Sequence, residues 1–284
     1  MSILLAAVLG LVQGLAEFLP ISSSGHLNLL QALFGIDLEH QLLFNVLLHV
    51  GTLIAVAVVF WHDWIQMICH PIKNKTLLLL FIASLPALAA KLAFSDQIDF
   101  LETNNALLGV SFLLTGVLLM LTQWLSCRRE RKEQHEVKIG HAVAMGCMQA
   151  VGLLPGVSRS GSTIFGGVAA RLDRETAAKF SFMMSMPAIV GSLLSEGYSA
   201  IKAGALTELT SSMVPIAVGM VVAGVSGYLA IRFMLKVIAK VSLNWFALYV
   251  IVLGIAVIIL QITGVITDAP AVADAAAKLA VPIG

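Results

Sequence analysis

Long apolar runs separated by short polar breaks dominate this chain. Six runs come close to the ~20 residues that an α-helix needs to cross a bilayer: about Leu42 to Trp61, Thr76 to Ala90, Ala106 to Leu125, Phe180 to Ser195, Met213 to Ile231 and Leu243 to Ile266. Four shorter ones, about Ile3 to Leu19, Leu27 to Gly35, Gly140 to Leu154 and Thr163 to Leu172, flank two polar hinges and read as half-helices. The hinges are Gln13 to Leu27 (QGLAEFLPISSSGHL) and Gln149 to Thr163 (QAVGLLPGVSRSGST), and they are one stretch written twice. At a constant offset of 136 residues they share Gly10/Gly146, Gln13/Gln149, Ser22/Ser158, Ser24/Ser160 and Gly25/Gly161. Phe44 to Phe60 maps onto Phe180 to Glu196 at the same offset, and the later spans follow within two residues.

Composition agrees with the pattern. The chain is 59% hydrophobic and 12% charged, with a mean hydropathy of +0.95, whereas soluble domains carry roughly 25% charge. An integral membrane protein is expected. A net charge of +1 with no basic cluster beside aromatics gives no case for nucleic acid. Cys69, Cys127 and Cys147 are odd in number and lack metal-ligand spacing, so neither a disulfide framework nor a zinc site is expected. The first Lys or Arg is Lys73, which leaves no basic region for a cleavable secretory signal.

Charge also orients the chain, because cytoplasmic loops collect Lys and Arg. If both hinge regions dip into the membrane and return, one side collects Lys73, Lys75, Arg128, Arg129, Arg131, Lys132, Lys138, Arg171, Arg174, Lys179, Arg232, Lys236 and Lys240. The other side holds only Lys91, Lys202 and Lys278. If the second hinge crossed once instead, the split would fall to nine against seven. The re-entrant reading follows for the second hinge, and repeat symmetry extends it to the first. The expected fold is therefore an all-α integral membrane protein of two inverted-topology repeats, each one re-entrant helical hairpin plus three transmembrane helices. Residues 1–136 form the first repeat (re-entrant 3–35) and 137–266 the second (re-entrant 140–172), with 267–284 as a tail. Both termini lie outside, and the hinges meet near the midplane from opposite faces. Many transporters share this plan. Loop backbone at such depth needs a polar cavity or protein partners. Gly10, Gly14 and Gly146 suit close helix packing, Asp173 suits an N-cap, and the basic run Arg128 to Lys132 reads as a topology anchor.

The chemistry sits where the two hinges differ: Glu17 faces Leu153, Ser23 faces Arg159, and His26 faces Ser162. Arg159 is the one cation assigned to neither loop face. An arginine at a helix centre costs about 2.5 to 3.5 kcal/mol on the insertion scale, so it marks a functional candidate. Pro155 and Gly156 break the helix before it, and Ser158, Ser160, Ser162 and Thr163 add hydroxyls and freed N–H groups at the next helix start. Such a terminus binds phosphate, and arginine adds a bidentate fork. The structural alternative is an Arg159–Glu17 pair that only joins the halves. Glu17 and Gln13 share one helix face and suit a divalent cation, with Gln13 as a neutral oxygen ligand; a plain helix-end glutamate is the alternative. His26 follows Ser23 by three residues and suits proton transfer with a serine nucleophile, although Ser22, Ser23 and Ser24 equally suit N-caps. Asn45 and His49, with repeat mates Ser181 and Ser185, read as interhelical hydrogen-bonding groups.

Gln13-x-x-x-Glu17, the following FLPISSSGH through His26, and Pro155-Gly156-Val157-Ser158-Arg159-Ser160-x-x-Thr163 resemble the two signature motifs of undecaprenyl pyrophosphate phosphatases, also called bacitracin-resistance proteins. The resemblance covers about residues 1 to 266. The first family motif is (E/Q)xxxE, so Gln13 is an allowed variant that leaves one carboxylate fewer for metal. The resemblance implies hydrolysis of undecaprenyl pyrophosphate to undecaprenyl phosphate for cell-wall lipid cycling, with bacitracin competing by binding the substrate. It also implies Mg2+ or Ca2+, a bacterial inner-membrane location and a site opening to the periplasmic face. Carried onto this chain, Arg159 with Ser158, Ser160, Ser162 and Thr163 would hold the pyrophosphate, Glu17 would act with the metal, and Ser23 with His26 would form nucleophile and base. From the residues themselves, Ser23, His26 and a water near Glu17 all stand as nucleophile. A transporter or flippase of a phosphorylated lipid or anion is the alternative function. A homodimer is a further partner expectation, since apolar faces that pair two copies look like lipid-facing ones.

Overall fold

A computed structural model describes residues 2–35, 41–70, 74–103, 105–128, 134–202 and 213–266. The tail 267–284 and most of the basic run, Arg129 to Lys132, lie outside the described residues. The half-helices are α1 (Ile3–Phe18) with α2 (Ser23–Leu33), and α8 (Ile139–Val151) with α9 (Arg159–Ala169). The remaining helices are α3 (Gln41–Val59), α4 (Trp61–Cys69), α5 (Thr76–Ala93), α6 (Ser95–Thr103), α7 (Leu108–Cys127), α10 (Arg174–Lys202), α11 (Met213–Val237) and α12 (Asn244–Ile262). Among the described residues the one β feature is an isolated bridge, Gln134 to Leu172.

Helices α5, α7, α10, α11 and α12 are long and apolar enough to cross a membrane. The expected run from Leu42 to Trp61 forms α3, but the chain then bends by 74° into α4. Helix α4 is amphipathic: Met67 is buried while Trp61, Ile65 and Ile68 are exposed, and Asp63 pairs with Lys179 of α10 at 2.7 Å. Helices α1 and α8, at 16 and 13 residues, are shorter than the ~20 residues of a full span. Large apolar side chains such as Leu4, Phe81, Leu92, Val221 and Ile262 remain exposed on the outer faces, as a lipid-solvated surface requires.

Each short hairpin packs chiefly on a span from the other half of the chain. Helix α1 lies along α11 and α8 along α5, while α3 meets α10 and α7 meets α12. In lipid, helix association depends on close van der Waals fit rather than on the hydrophobic effect, and small residues provide it. A Cβ on Gly14 would collide with Ser226, with the Ala223 carbonyl and, at 2.7 Å, with the Gly227 nitrogen; one on Gly146 would meet the Ala83 carbonyl. Between the hairpins, Phe18 and Phe182 stack edge to face at 5.6 Å inside a buried cluster that includes Ile164, Met145 and Met184. Asp173 caps α10, its Oδ1 accepting from the Thr176 N–H at 2.9 Å.

Candidate active site

Both hinges end in a short helix with a serine cap. Ser22 caps α2 by accepting the Gly25 N–H at 3.3 Å, and Ser158 caps α9 by accepting the Gly161 N–H at 3.1 Å. Ser22 reaches this position in the left-handed region, at φ 72°, where a non-glycine residue is disfavoured by roughly 1–2 kcal/mol. Gly156, at φ 83°, turns the second hinge without that penalty, and its N–H faces Ser24 Oγ at 3.5 Å. Thr115 of α7 pins this hinge from below, accepting the Ser158 N–H at 3.0 Å and donating to the Ser111 carbonyl at 3.0 Å.

The two helix starts meet at Glu17. Its Oε1 pairs with Arg159 Nη2, and its Oε2 accepts from Ser23 Oγ at 2.6 Å and from Gln13 Nε2 at 3.1 Å. His49 Nε2 stands 3.6 Å from the same oxygen. The Glu17 side chain is 4% exposed and that of Arg159 23%. A guanidinium at the first turn of α9, a carboxylate and a serine hydroxyl thus form one contiguous network. The Arg159–Glu17 pair that stood as a structural alternative does exist.

The predicted site residues divide into those at the network and those behind it. Ser158 and Ser160 lie at the mouth of α9, their hydroxyls 3.2 Å apart, and Ser160 Oγ reaches the Leu19 carbonyl at 3.4 Å. Thr163 turns its hydroxyl to Ser181 of α10 at 2.6 Å. Ser162 is fully buried and its Oγ has no hydrogen-bond partner. Ser23 and His26 do not bond each other: Ser23 is directed to Glu17, while His26 Nδ1 donates to the Ser22 carbonyl and Nε2 meets Tyr249 Oη, both at 2.7 Å. Asn45 makes the expected interhelical bond, to Gln31 at 2.9 Å, and Ser181 makes one to Thr163; Ser185 bonds within its own helix, to Phe182.

The expectation of a divalent cation can be tested on the donor set. Among the described residues no group of three His, Cys, Asp or Glu side chains is placed to hold an ion. What the protein offers is Glu17 and the Gln13 Oε1, a buried oxygen with no hydrogen-bond partner. One carboxylate and one neutral oxygen fit the habit of Mg2+, which takes its other ligands from phosphate and water. The donors are of the right kind, but Gln13 turns its N–H to Glu17, so its oxygen would join Glu17 on a cation only with the amide turned over.

Tyr249, Thr115 and the closeness of His49 to Glu17 were missed from sequence as parts of the site. The signal for Thr115 was present, since Ser111 and Thr115 are four apart in an apolar helix, as Asn45 and His49 are. Tyr249 carried only the mark of a lone phenol inside the last span.

Helices fit to cross a membrane, wrapped around a serine–carboxylate–guanidinium network at two helix N-termini with the carboxylate buried, define a multi-pass membrane protein. A family model described as bacitracin resistance protein BacA matches residues 6–256, and the chain belongs to that family. It is similar to an undecaprenyl-diphosphatase of Carboxydothermus hydrogenoformans, 39% identical over 91% of this chain and 97% of the relative. It is similar also to undecaprenyl-diphosphatase 4 of Bacillus cereus, 38% identical over 92% and 98%, and to an undecaprenyl-diphosphatase of Halothermothrix orenii, 39% identical over 92% and 98%.

Proposed function

We infer that the protein is a phosphatase that hydrolyses undecaprenyl pyrophosphate to undecaprenyl phosphate and inorganic phosphate, returning a lipid carrier to cell-wall synthesis. In a chain of this family, the observation that carries the reading is the convergence of Ser23 and Arg159 on Glu17. In this scheme Arg159 exchanges one Glu17 oxygen for the terminal phosphate, aided by the α9 N–H groups and by Ser158 and Ser160. Release of Arg159 raises the basicity of Glu17, which already accepts a hydrogen bond from Ser23. Ser23 Oγ attacks the terminal phosphorus, its proton passes to Glu17, and the bond to the bridging oxygen breaks. Undecaprenyl phosphate leaves and takes the proton back from Glu17. Water then attacks the phosphoserine, losing a proton to Glu17, which returns it to Ser23 as phosphate departs. His26 serves this scheme by holding the Ser22 turn. Ser162 and Thr163 line the helix behind the phosphate, with Thr163 anchoring α9 on α10. A divalent cation held by Glu17 and Gln13 would neutralise phosphate charge.

The topology belongs to the same proposal: inverted repeats 1–136 and 137–266, both termini outside, and a site open to the periplasmic face of the inner membrane. The exchange of partners between halves, α1 on α11 and α8 on α5, supports it, as does the one-sided Lys and Arg distribution. Bacitracin would act on the reaction by sequestering the substrate. A carrier without chemistry has no need of a serine held on a carboxylate.

The test is inorganic phosphate release from undecaprenyl pyrophosphate by purified protein in detergent, with and without a chelator. Chelator-sensitive release is expected. Tight lipid binding with no release would replace the phosphatase with a carrier.

A further inference from the structure

We propose that Tyr249 is a positioning residue of this site, acting through His26 on the turn that presents Ser23 to Glu17. The inference rests on the phosphatase reading for its kinetic arm only. Tyr249 lies on α12, 223 residues away in sequence, yet its hydroxyl is 2.7 Å from His26 Nε2. The two ring planes lie within 14° of each other at a centroid separation of 5.7 Å, and Phe112 of α7 closes on His26 edge-on at 5.3 Å. Three elements, α2, α7 and α12, therefore fix one imidazole.

The hydrogen bonds assign its protons. A carbonyl only accepts, so His26 Nδ1 carries the hydrogen that binds the Ser22 oxygen at 2.7 Å. In the neutral ring Nε2 is then the acceptor, and the phenol of Tyr249 donates to it. Tyr249 thus selects the tautomer whose Nδ1–H grips Ser22. Ser22 sits at φ 72°, a conformation that persists only when its surroundings enforce it. The next residue, Ser23, opens α2 and places its hydroxyl 2.6 Å from Glu17. Without the phenol the other tautomer becomes accessible, and in it Nδ1 turns from donor to acceptor against the Ser22 carbonyl. The turn loosens and Ser23 Oγ leaves its place 2.6 Å from Glu17. Arg159 and the α9 terminus are untouched, so substrate capture is preserved.

Tyr249→Phe removes one atom and keeps the ring stack. Phosphate release should show kcat lowered about tenfold, the size of one lost neutral hydrogen bond, with KM within about twofold of the parent. In a His26→Gln background the same substitution should change nothing further, because its effect passes through the imidazole. A kcat for Tyr249→Phe within about twofold of the parent, or an equal loss in both backgrounds, would overturn the proposal. A second readout needs no turnover. 15N spectra of histidine-labelled protein, with His26 identified by its absence in His26→Gln, should show an Nδ1–H ring with a hydrogen-bonded Nε2 that becomes unbonded or tautomerically mixed in Tyr249→Phe. An unchanged signal sinks the positioning role. Absence of phosphate release from the parent protein sinks the phosphatase reading instead, and the spectra still judge Tyr249.

Discussion

Arg159→Ala separates the two readings of the buried ion pair. In the parent the Glu17 side chain is 4% exposed and accepts from Ser23 at 2.6 Å and Gln13 at 3.1 Å; the substitution removes its charged partner and leaves those two donors. Removing one partner of a fully buried pair costs about 3–5 kcal/mol. Arg159 is 23% exposed and two hydrogen bonds survive on the carboxylate, so about 2 to 3 kcal/mol is expected here. The kinetic loss should be larger: an arginine on a transferring phosphoryl group contributes roughly 10³–10⁵ in rate, or at least about 4 kcal/mol of barrier. Thermal unfolding in detergent measures the first quantity and phosphate release the second. The double variant Glu17→Gln with Arg159→Gln removes both charges and should regain most of the stability with none of the activity. Release within about tenfold of the parent by folded Arg159→Ala would refute the phosphate-binding role and leave the pair as a tether between the halves.

Three further outcomes follow from the same geometry. Ser23→Ala should lower phosphate release by at least about 10³-fold while binding of the lipid pyrophosphate, read by competition, stays within a few-fold; near-parental turnover would move the nucleophile to water on Glu17. Gly14→Ala forces α1 away from α11 and should cost about 1–3 kcal/mol, seen as a lower melting temperature. Asp173, outside the spans, feels burial that raises its carboxyl pKa, but hydrogen bonds from the Thr176 backbone and side chain and from His135 outweigh this and hold it below the usual value. A carboxyl lowered in the folded state adds stability above its unfolded value, near 4, and loses it as pH falls through the folded value. The gap between parent and Asp173→Ala, about 1 kcal/mol for a helix cap, should therefore be present at pH 7 and shrink below about pH 4; a gap constant across that range would contradict the cap's charge.

Period and polarity alone determined the helical class, the two serine-rich hinges and the placing of an acid in one and an arginine in the other. Those features are local: a helix needs about 20 apolar residues to span lipid, and α1 and α8 plainly lack them. The end of α3 was legible, because the apolar run stops at Trp61 before His62 and Asp63, but the separate helix α4 that follows a 74° bend was not. Spacing set Ser23 and His26 within one turn and could not say which way each points. The left-handed Ser22 turn decided that, directing Ser23 to Glu17 and His26 toward Tyr249. Thr115 and Tyr249 entered the site from α7 and α12 by long-range packing. Sequence records which groups must escape lipid; only the tertiary structure decides which partner each one finds, because that choice depends on contacts between separate helices, up to 142 positions apart for Arg159 and Glu17 and 223 for His26 and Tyr249.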